Sequence, residues 1–264
     1  MTSNAPSTKD IILDEVAQTL GDQALETVKP GEVKEASSET RVDEVPACIT
    51  QRAIPVNLRN GPADIIVGLN NECPRWVPGS VIKWAAWRQG FKTEADADHA
   101  AAQLNIAASQ WNNANIGVTF EWVPLATDAT FVLCNGGAMG GVLASAFFPN
   151  ANDLNYLYVY TTAFRPQFRS NMWQVFVHEL GHVLGLRHEF AIEGLPERGI
   201  GPEGRGAVVL GVRDEKSVMN YRNDLPEIQP SDIQSTTEFY ALREDDQGNP
   251  PMVGMTPVGD YTPR

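Results

Sequence analysis

"VHELGHVLGLRHEF", residues 177–190, holds three of the chain's four histidines. Apolar residues recur every three or four positions through this stretch and the residues before it, which predicts a helix. Residues four apart on a helix project from one face, so His178 and His182 turn their imidazoles to the same point. Gly185 stands where this helix is expected to end, because glycine adopts the left-handed conformation that lets the chain turn back. That turn can bring His188 to the same point.

Three imidazoles that converge in this way predict a metal site. Zinc is bound by imidazole nitrogens at ~2.0–2.1 Å, and three protein ligands leave the fourth position to water, as in catalytic sites. Glu179 lies beside the ligands, where its carboxylate can reach such a water without binding the metal. A structural zinc domain would need a fourth Cys or His, and residues 191–220 contain neither. The five fixed residues of H-E-x-x-H-x-x-G-x-x-H also disfavour histidines that share an amphipathic helix without a metal.

The full motif resembles that of the metzincin zinc endopeptidases, and the resemblance extends over roughly Ser80 to Leu242. "SVMNY", residues 217–221, resembles the Met-turn of that family, in which Met219 forms a hydrophobic base under the three histidines. The resemblance implies one catalytic Zn²⁺ on His178, His182 and His188 and hydrolysis of internal peptide bonds in protein or peptide substrates. It also implies that Glu179 is the general base and that Tyr221 stabilises the transition state.

The metzincin subfamily stays open. Glu189 directly after the third histidine resembles astacin-like enzymes, and Tyr221 two residues after the methionine resembles astacins and serralysins. The HELGH core and "LASAFFP" instead resemble matrix metalloproteases, in which "GVLASAFFP" (residues 141–149) would be the substrate-binding edge strand. Those enzymes place a histidine for a second zinc where this chain has Ser145, and His99, the one remaining histidine, is not expected to bind metal. Ca²⁺ bound by Asp and backbone carbonyls is compatible with the acidic loops.

The fold class predicted is α+β. A strand at 80–87 precedes a helix that starts at Thr93, and β-branched and aromatic runs then predict further strands at 117–123, 130–134, 141–149 and 154–162. This order favours a twisted, mostly parallel sheet backed by helices. The metzincin resemblance adds an antiparallel edge strand, a backing helix, an active-site helix and a C-terminal helix at 229–242, for which Ser231 is the expected N-cap.

Composition divides the chain into three parts. Residues 1–53 are expected to form an acidic, flexible N-terminal tail or a pro-segment, with a short helix near 10–20 as an alternative. Residues 54–249 are expected to form the zinc metallopeptidase catalytic domain, and residues 250–264 a Pro-rich C-terminal tail. The glycine-rich and charged stretch at 193–207 is interpreted as a loop, either at the border of the cleft or simply on the surface.

A cysteine switch is a further hypothesis for the pro-segment. Metzincins are often held latent by a thiolate or carboxylate on the zinc, and "NECPRWVPG" (residues 71–79) places Cys73 beside Pro-Arg. In the matrix metalloprotease switch the cysteine follows Pro-Arg instead. Packing or a disulfide is therefore the favoured role for Cys73, and a latent or non-proteolytic metzincin-fold zinc-binding module is the alternative to an active peptidase.

Charge and hydropathy exclude several other partners. The net charge of −13 disfavours nucleic acid and anionic membrane surfaces. No stretch approaches the ~20 apolar residues of a membrane helix. No signal peptide is visible at the N-terminus, so the sequence leaves open whether the protein is cytoplasmic or is secreted through an unseen or removed leader. It does not predict an oligomeric state.

Overall fold

The computed structural model describes residues 6–31, 47–48, 66–69, 71–203, 206–211, 214–221 and 225–264. The helices are α1 (Thr8–Leu20), α2 (Glu94–Asn113), α3 (Pro166–Arg169), α4 (Met172–Val183) and α5 (Pro230–Ala241), with single 3₁₀ turns at Asp22–Leu25, Ala126–Asp128, Thr161–Phe164 and Pro196–Arg198. The strands are β1 (Ala47–Cys48), β2 (Ile66–Val67), β3 (Cys73–Trp76), β4 (Val81–Ala86), β5 (Thr119–Trp122), β6 (Phe131–Asn135), β7 (Val142–Ser145), β8 (Asn155–Val159), β9 (Val208–Val209), β10 (Met252–Val253) and β11 (Thr256–Tyr261).

Six strands form the main sheet, in the order β1–β7–β8–β6–β4–β5. The pairs β4–β5, β4–β6 and β6–β8 are parallel, and β7 runs antiparallel to β8. The prediction of an α+β domain with a mostly parallel sheet and one antiparallel strand is therefore confirmed. The expected edge position of β7 is not found, because Ala47 and Cys48 pair with its outer side in parallel. A strand that borders a cleft has free backbone groups on that side, and a neighbouring segment can satisfy them.

Helices α2 and α4 pack on one face of this sheet. Thr93 caps α2 by accepting a hydrogen bond from the backbone N–H of Asp96, as the predicted helix start requires. The apolar face of α2 lies in the main core, where Trp111 donates its indole N–H to the backbone carbonyl of Val177 in α4 at 2.9 Å. This bond and the surrounding apolar contacts fix α4 in the core and therefore fix the direction in which its histidines point.

The acidic N-terminal segment is not a loose tail in its described part. Helix α1 exists, and Leu13 and Val28 are 3% and 1% exposed. Lys9 is buried and donates its ammonium hydrogens to the carbonyls of Thr127 and Ala129. Val28 also donates its N–H to the carbonyl of Ala86 at 2.8 Å. The expectation of flexibility fails here because Leu13 packs in a second apolar cluster with Ala85 and Val28 packs in the main core, although the average composition of the segment is polar. The predicted boundary at residue 53 lies outside the described residues.

The Pro-rich C-terminus likewise forms structure, which corrects the expected tail. Strand β11 pairs in parallel with β3 and antiparallel with β10, giving a second sheet of three strands. Its Asp260 forms an ion pair with Arg75, whose side chain is 2% exposed. Arg75 also donates to the backbone carbonyls of Phe239 and Leu242 at the end of α5.

None of the helices in the described part of the chain is long and apolar enough to cross a membrane.

Candidate metal centre

Helix α4 delivers the first part of the centre from its buried side. His178 and His182 are 3% and 0% exposed, and Glu179 between them is 0% exposed. The helix ends at Val183 with Leu184 as its C-cap, and Gly185 takes the left-handed conformation with φ of +96°. A side chain there would also collide with the backbone carbonyl of Pro74 in β3. Only glycine satisfies both the backbone angle and this close approach, so the predicted turn toward His188 is confirmed.

The three imidazoles converge on one point. The Nε2 atom of His188 lies 3.1 Å from that of His178 and 3.2 Å from that of His182. A tetrahedral ion with nitrogen ligands at ~2.0–2.1 Å would hold two of these nitrogens about 3.3 Å apart, close to the distances observed. Within the described residues, this is the one group of three or more potential ligands close enough together to hold a metal. The expectation of calcium is not tested by it.

The outward-facing nitrogens show which tautomer each ring has. His178 Nδ1 lies 2.7 Å from the carbonyl oxygen of Val218, and His182 Nδ1 lies 2.8 Å from that of Leu186. A carbonyl oxygen only accepts hydrogen bonds, so each Nδ1 carries the proton and each Nε2 presents a lone pair. Lone pairs that face one another at this distance repel unless a cation lies between them. The donor set therefore fits zinc.

Burial keeps the imidazole rings of His178 and His182 neutral. It lowers the pKa of His178 to about 3, assisted by the neighbouring His188, and lowers the pKa of His182 well below its ordinary value of 6.5. Metal binding requires the neutral imidazole, because a protonated Nε2 has no lone pair. The two histidines of α4 are therefore ready to bind a metal across the neutral pH range.

Met219 lies directly beneath the motif. Its side chain is 1% exposed, and its sulfur packs so closely on Gly181 that any side chain at that position would overlap it. The backbone carbonyl of Met219 accepts a hydrogen bond from the N–H of Glu189 at 3.1 Å, which joins the turn to the residue after the third histidine. The position agrees with the role that the metzincin resemblance implies for Met219.

Asp232 holds this turn and was not foreseen from the sequence. Its buried carboxylate accepts hydrogen bonds from the hydroxyl of Ser217 at 2.6 Å and from the backbone N–H of Val218 at 2.9 Å. It also accepts from the N–H of Gln229, which is the N-cap of α5 in place of the expected Ser231. The signal in the sequence is an aspartate at the third position of a helix, which is common and does not reveal so distant a partner.

Tyr221 lies over the histidines. Its ring centre is 4.8 Å from that of His188 and 6.0 Å from that of His178. Phe190 lies 4.8 Å from the tyrosine ring, and Phe148, from the segment after β7, makes an edge contact with His182. The centre is thus enclosed by aromatic rings on the side of Tyr221 and on the side of β7.

Glu203 is a second carboxylate that sequence reasoning missed, because the stretch 193–207 is interpreted from the sequence only as a loop, either at the border of the cleft or on the surface. One carboxylate oxygen accepts a hydrogen bond from His188 Nδ1, and the other lies 3.3 Å from the guanidinium of Arg187. Burial would raise the pKa of Glu203, but the hydrogen bond from His188 and the charge of Arg187 outweigh it and lower that pKa. Arg187 in turn donates to the carbonyl of Gly68 at 3.0 Å.

The remaining candidates lie away from the centre. Cys73 is in β3, fully buried, and burial raises the pKa of its thiol to about 12. It is not part of the histidine group, so the packing role is favoured over a switch. His99 Nε2 bonds the carbonyl of Arg169 at 2.8 Å, and the hydroxyl of Ser145 bonds that of Tyr160 at 3.0 Å.

One comparison with known proteins gives a match. No curated protein sequence matches the chain. The model of the matrixin family, however, matches residues 80–221, more than half of the 264 residues, and this span includes β4 to β8, α2, all three histidines and the Met219 turn. The family match and the three-histidine geometry agree on the same class, and the chain belongs to the matrixin family.

Proposed function

We propose that the protein is a zinc-dependent endopeptidase that hydrolyses internal peptide bonds of protein substrates. The observation that carries this proposal is the convergence of three Nε2 lone pairs beside the buried carboxylate of Glu179. His178, His182 and His188 would hold the zinc, and the matrixin family supports this class of activity.

Each nearby residue has a task in this reaction. Bound zinc would polarise the scissile carbonyl and lower the pKa of a water to ~7. The carboxylate of Glu179 would take a proton from the attacking water and pass it to the leaving amine. The hydroxyl of Tyr221 donates a hydrogen bond to the oxygen that becomes negative, a contribution of ~2.7–4 kcal/mol at comparable sites. Met219 supports the ligands from below and does not take part in proton transfer.

Substrate would bind along β7. An extended peptide can add to the outer side of this strand through backbone hydrogen bonds. Ala47 and Cys48 pair there in the structure, so a substrate has to displace them. We propose that latency comes from this pairing and not from Cys73. A cut between residues 48 and 66 would sever β1 from the catalytic part of the chain and allow a substrate to take its place.

The first test measures zinc content and peptide cleavage for the wild type and for Glu179→Gln in parallel. We expect one zinc per chain in both and, after a cut between residues 48 and 66 that severs β1 from the domain, cleavage of casein only by the wild type, blocked by a chelator. Full cleavage by Glu179→Gln would remove Glu179 from the role of base. Absence of zinc from the wild type would refute the metal centre itself.

The alternative is a metzincin-fold zinc-binding module without peptidase activity. A specific protease site inserted between residues 48 and 66, which detaches β1 from the rest of the domain, separates it from a latent enzyme. Cleavage activity that appears after the cut supports latency through β1, whereas zinc-loaded protein that stays inactive before and after the cut supports the binding module.

A further inference from the structure

The three histidines differ in what their second nitrogen meets. His178 and His182 donate from Nδ1 to backbone carbonyls, which are neutral. His188 donates to the carboxylate of Glu203, which is the only charged partner among the three. A carboxylate on the far side of an imidazole makes the ring a more basic ligand and fixes its orientation, because the N–H hydrogen is held by a full negative charge.

Glu203 is itself held in place from two sides. Its backbone N–H donates to the carbonyl of Ala191 at 2.8 Å, and its second oxygen pairs with Arg187. The Arg187 side chain is 6% exposed and reaches the carbonyl of Gly68 in the segment that follows β2. The carboxylate therefore cannot rotate away from His188 without breaking an ion pair that is largely shielded from water.

We propose, on the basis of the proposed zinc centre, that Glu203 is a positioning residue of this enzyme. Its carboxylate fixes the Nδ1–H tautomer and the ring plane of His188. His188 follows the helix and has no helical backbone to hold it. The contact with Glu203 makes it as well ordered as the two ligands on α4. The Arg187–Glu203 pair also joins the 193–203 loop to the metal site, so the order of that loop depends on the charge of Glu203.

The test is zinc affinity, measured by competition with a chromophoric chelator on the full chain. Glu203→Gln keeps the shape of the side chain and removes its charge, and we expect it to weaken zinc binding about 10- to 100-fold. Glu203→Asp, which keeps the charge on a shorter side chain, should recover part of this loss. Glu197→Gln makes the same charge change at an exposed position in the same loop and should bind zinc as the wild type does.

A second measurement keeps the proposal testable if Glu203→Gln folds poorly. In the zinc-loaded wild type, the Nδ1 proton of His188 should resonate downfield of those of His178 and His182, because its acceptor is charged. Three equivalent resonances would overturn the role of Glu203, as would a Glu203→Gln chain that folds and binds zinc with unchanged affinity. A wild type that binds no zinc would instead overturn the proposed function, and the role of Glu203 with it.

Discussion

Replacing Gly181 with alanine tests whether Met219 supports the zinc motif. Gly181 lies inside α4, between Leu180 and the ligand His182. A Cβ atom at this position would overlap the sulfur of Met219 and would lie 3.2 Å from its terminal methyl carbon. Atoms of this kind pack at about 3.5–4.0 Å, so the methionine has to move. Met219 is buried on all sides, and its movement would disturb the turn that bonds Glu189.

The expected magnitude follows from two opposing contributions. Alanine in place of glycine in a helix interior ordinarily stabilises a protein by about 0.8–1.0 kcal/mol. Overpacking of a full core costs about 1–3 kcal/mol. We therefore expect Gly181→Ala to lower the free energy of unfolding by about 1 kcal/mol. The same substitution in a helix without a steric clash would raise the free energy of unfolding by about that amount. Zinc affinity should fall as well, because His182 is the next residue.

Denaturant unfolding of the unloaded chain measures the change. Gly141→Ala is the control, since a Cβ at Gly141 meets no atom within 4 Å. The double variant Gly181→Ala, Met219→Ala gives the coupling between the two positions, because the shorter side chain leaves room for the new methyl group. A stabilised Gly181→Ala chain whose effect is additive with that of Met219→Ala would refute the packing of Met219 under the motif.

Three further predictions concern the parts of the fold that surround the centre. Leu13→Ala should lower the free energy of unfolding by about 2–5 kcal/mol, because it opens a cavity under α1. Ile11→Ala, at a position 53% exposed, should change the free energy of unfolding little. Equal effects of the two substitutions would show that α1 does not pack as described. Asp260→Asn should cost about 1.5–3 kcal/mol, since the buried guanidinium of Arg75 loses its charged partner, and an unchanged melting temperature would contradict this. Burial would raise the pKa of Asp96, but hydrogen bonds and charge from Arg169 outweigh burial and lower this pKa. The stability that Asp96 adds is therefore fully present above its unfolded pKa of 3.8 and is lost as pH falls through the lower pKa of the folded state. Asp96→Asn should therefore be less stable than the wild type at neutral pH and approach it in acid, and a difference that stays constant with pH would contradict the assignment.

The zinc motif and the sheet could be predicted from the sequence because their signals are local. Histidines four apart on a helix share a face whatever the rest of the chain does, and Gly185 indicates the turn to the third ligand. The strands of the main sheet are rich in β-branched and aromatic residues, which predicts them from short runs. The outer neighbour of β7 was not predicted, because β1 consists of only two residues from a segment of low hydrophobicity.

The parts that could not be predicted depend on distant partners. Composition averages over a segment, whereas the N-terminal region is held by a few buried apolar side chains, among them Leu13, Ala24 and Val28. Strand β11 pairs with β3, which lies about 185 residues earlier in the chain, and the sequence of neither strand identifies the other as its partner. Glu203 and Asp232 are single carboxylates whose roles come from bonds to His188 and to the Met219 turn. Neither bond leaves a pattern in the sequence.

The pairing of β3 with β11 has a consequence for how the protein is made. Trp76 of β3 donates its indole N–H to the carbonyl of Val183, the last residue of α4, so β3 supports the end of the metal-binding helix. When the chain has left the ribosome as far as Leu242, every residue of the zinc motif has been synthesised and released. Strand β11, which pairs with β3, has not yet been released. At about 5–20 residues per second, β11 follows within seconds. We therefore expect the centre to become rigid only after β11 has left the ribosome, so that protein synthesis itself delays the moment at which the metal can be held.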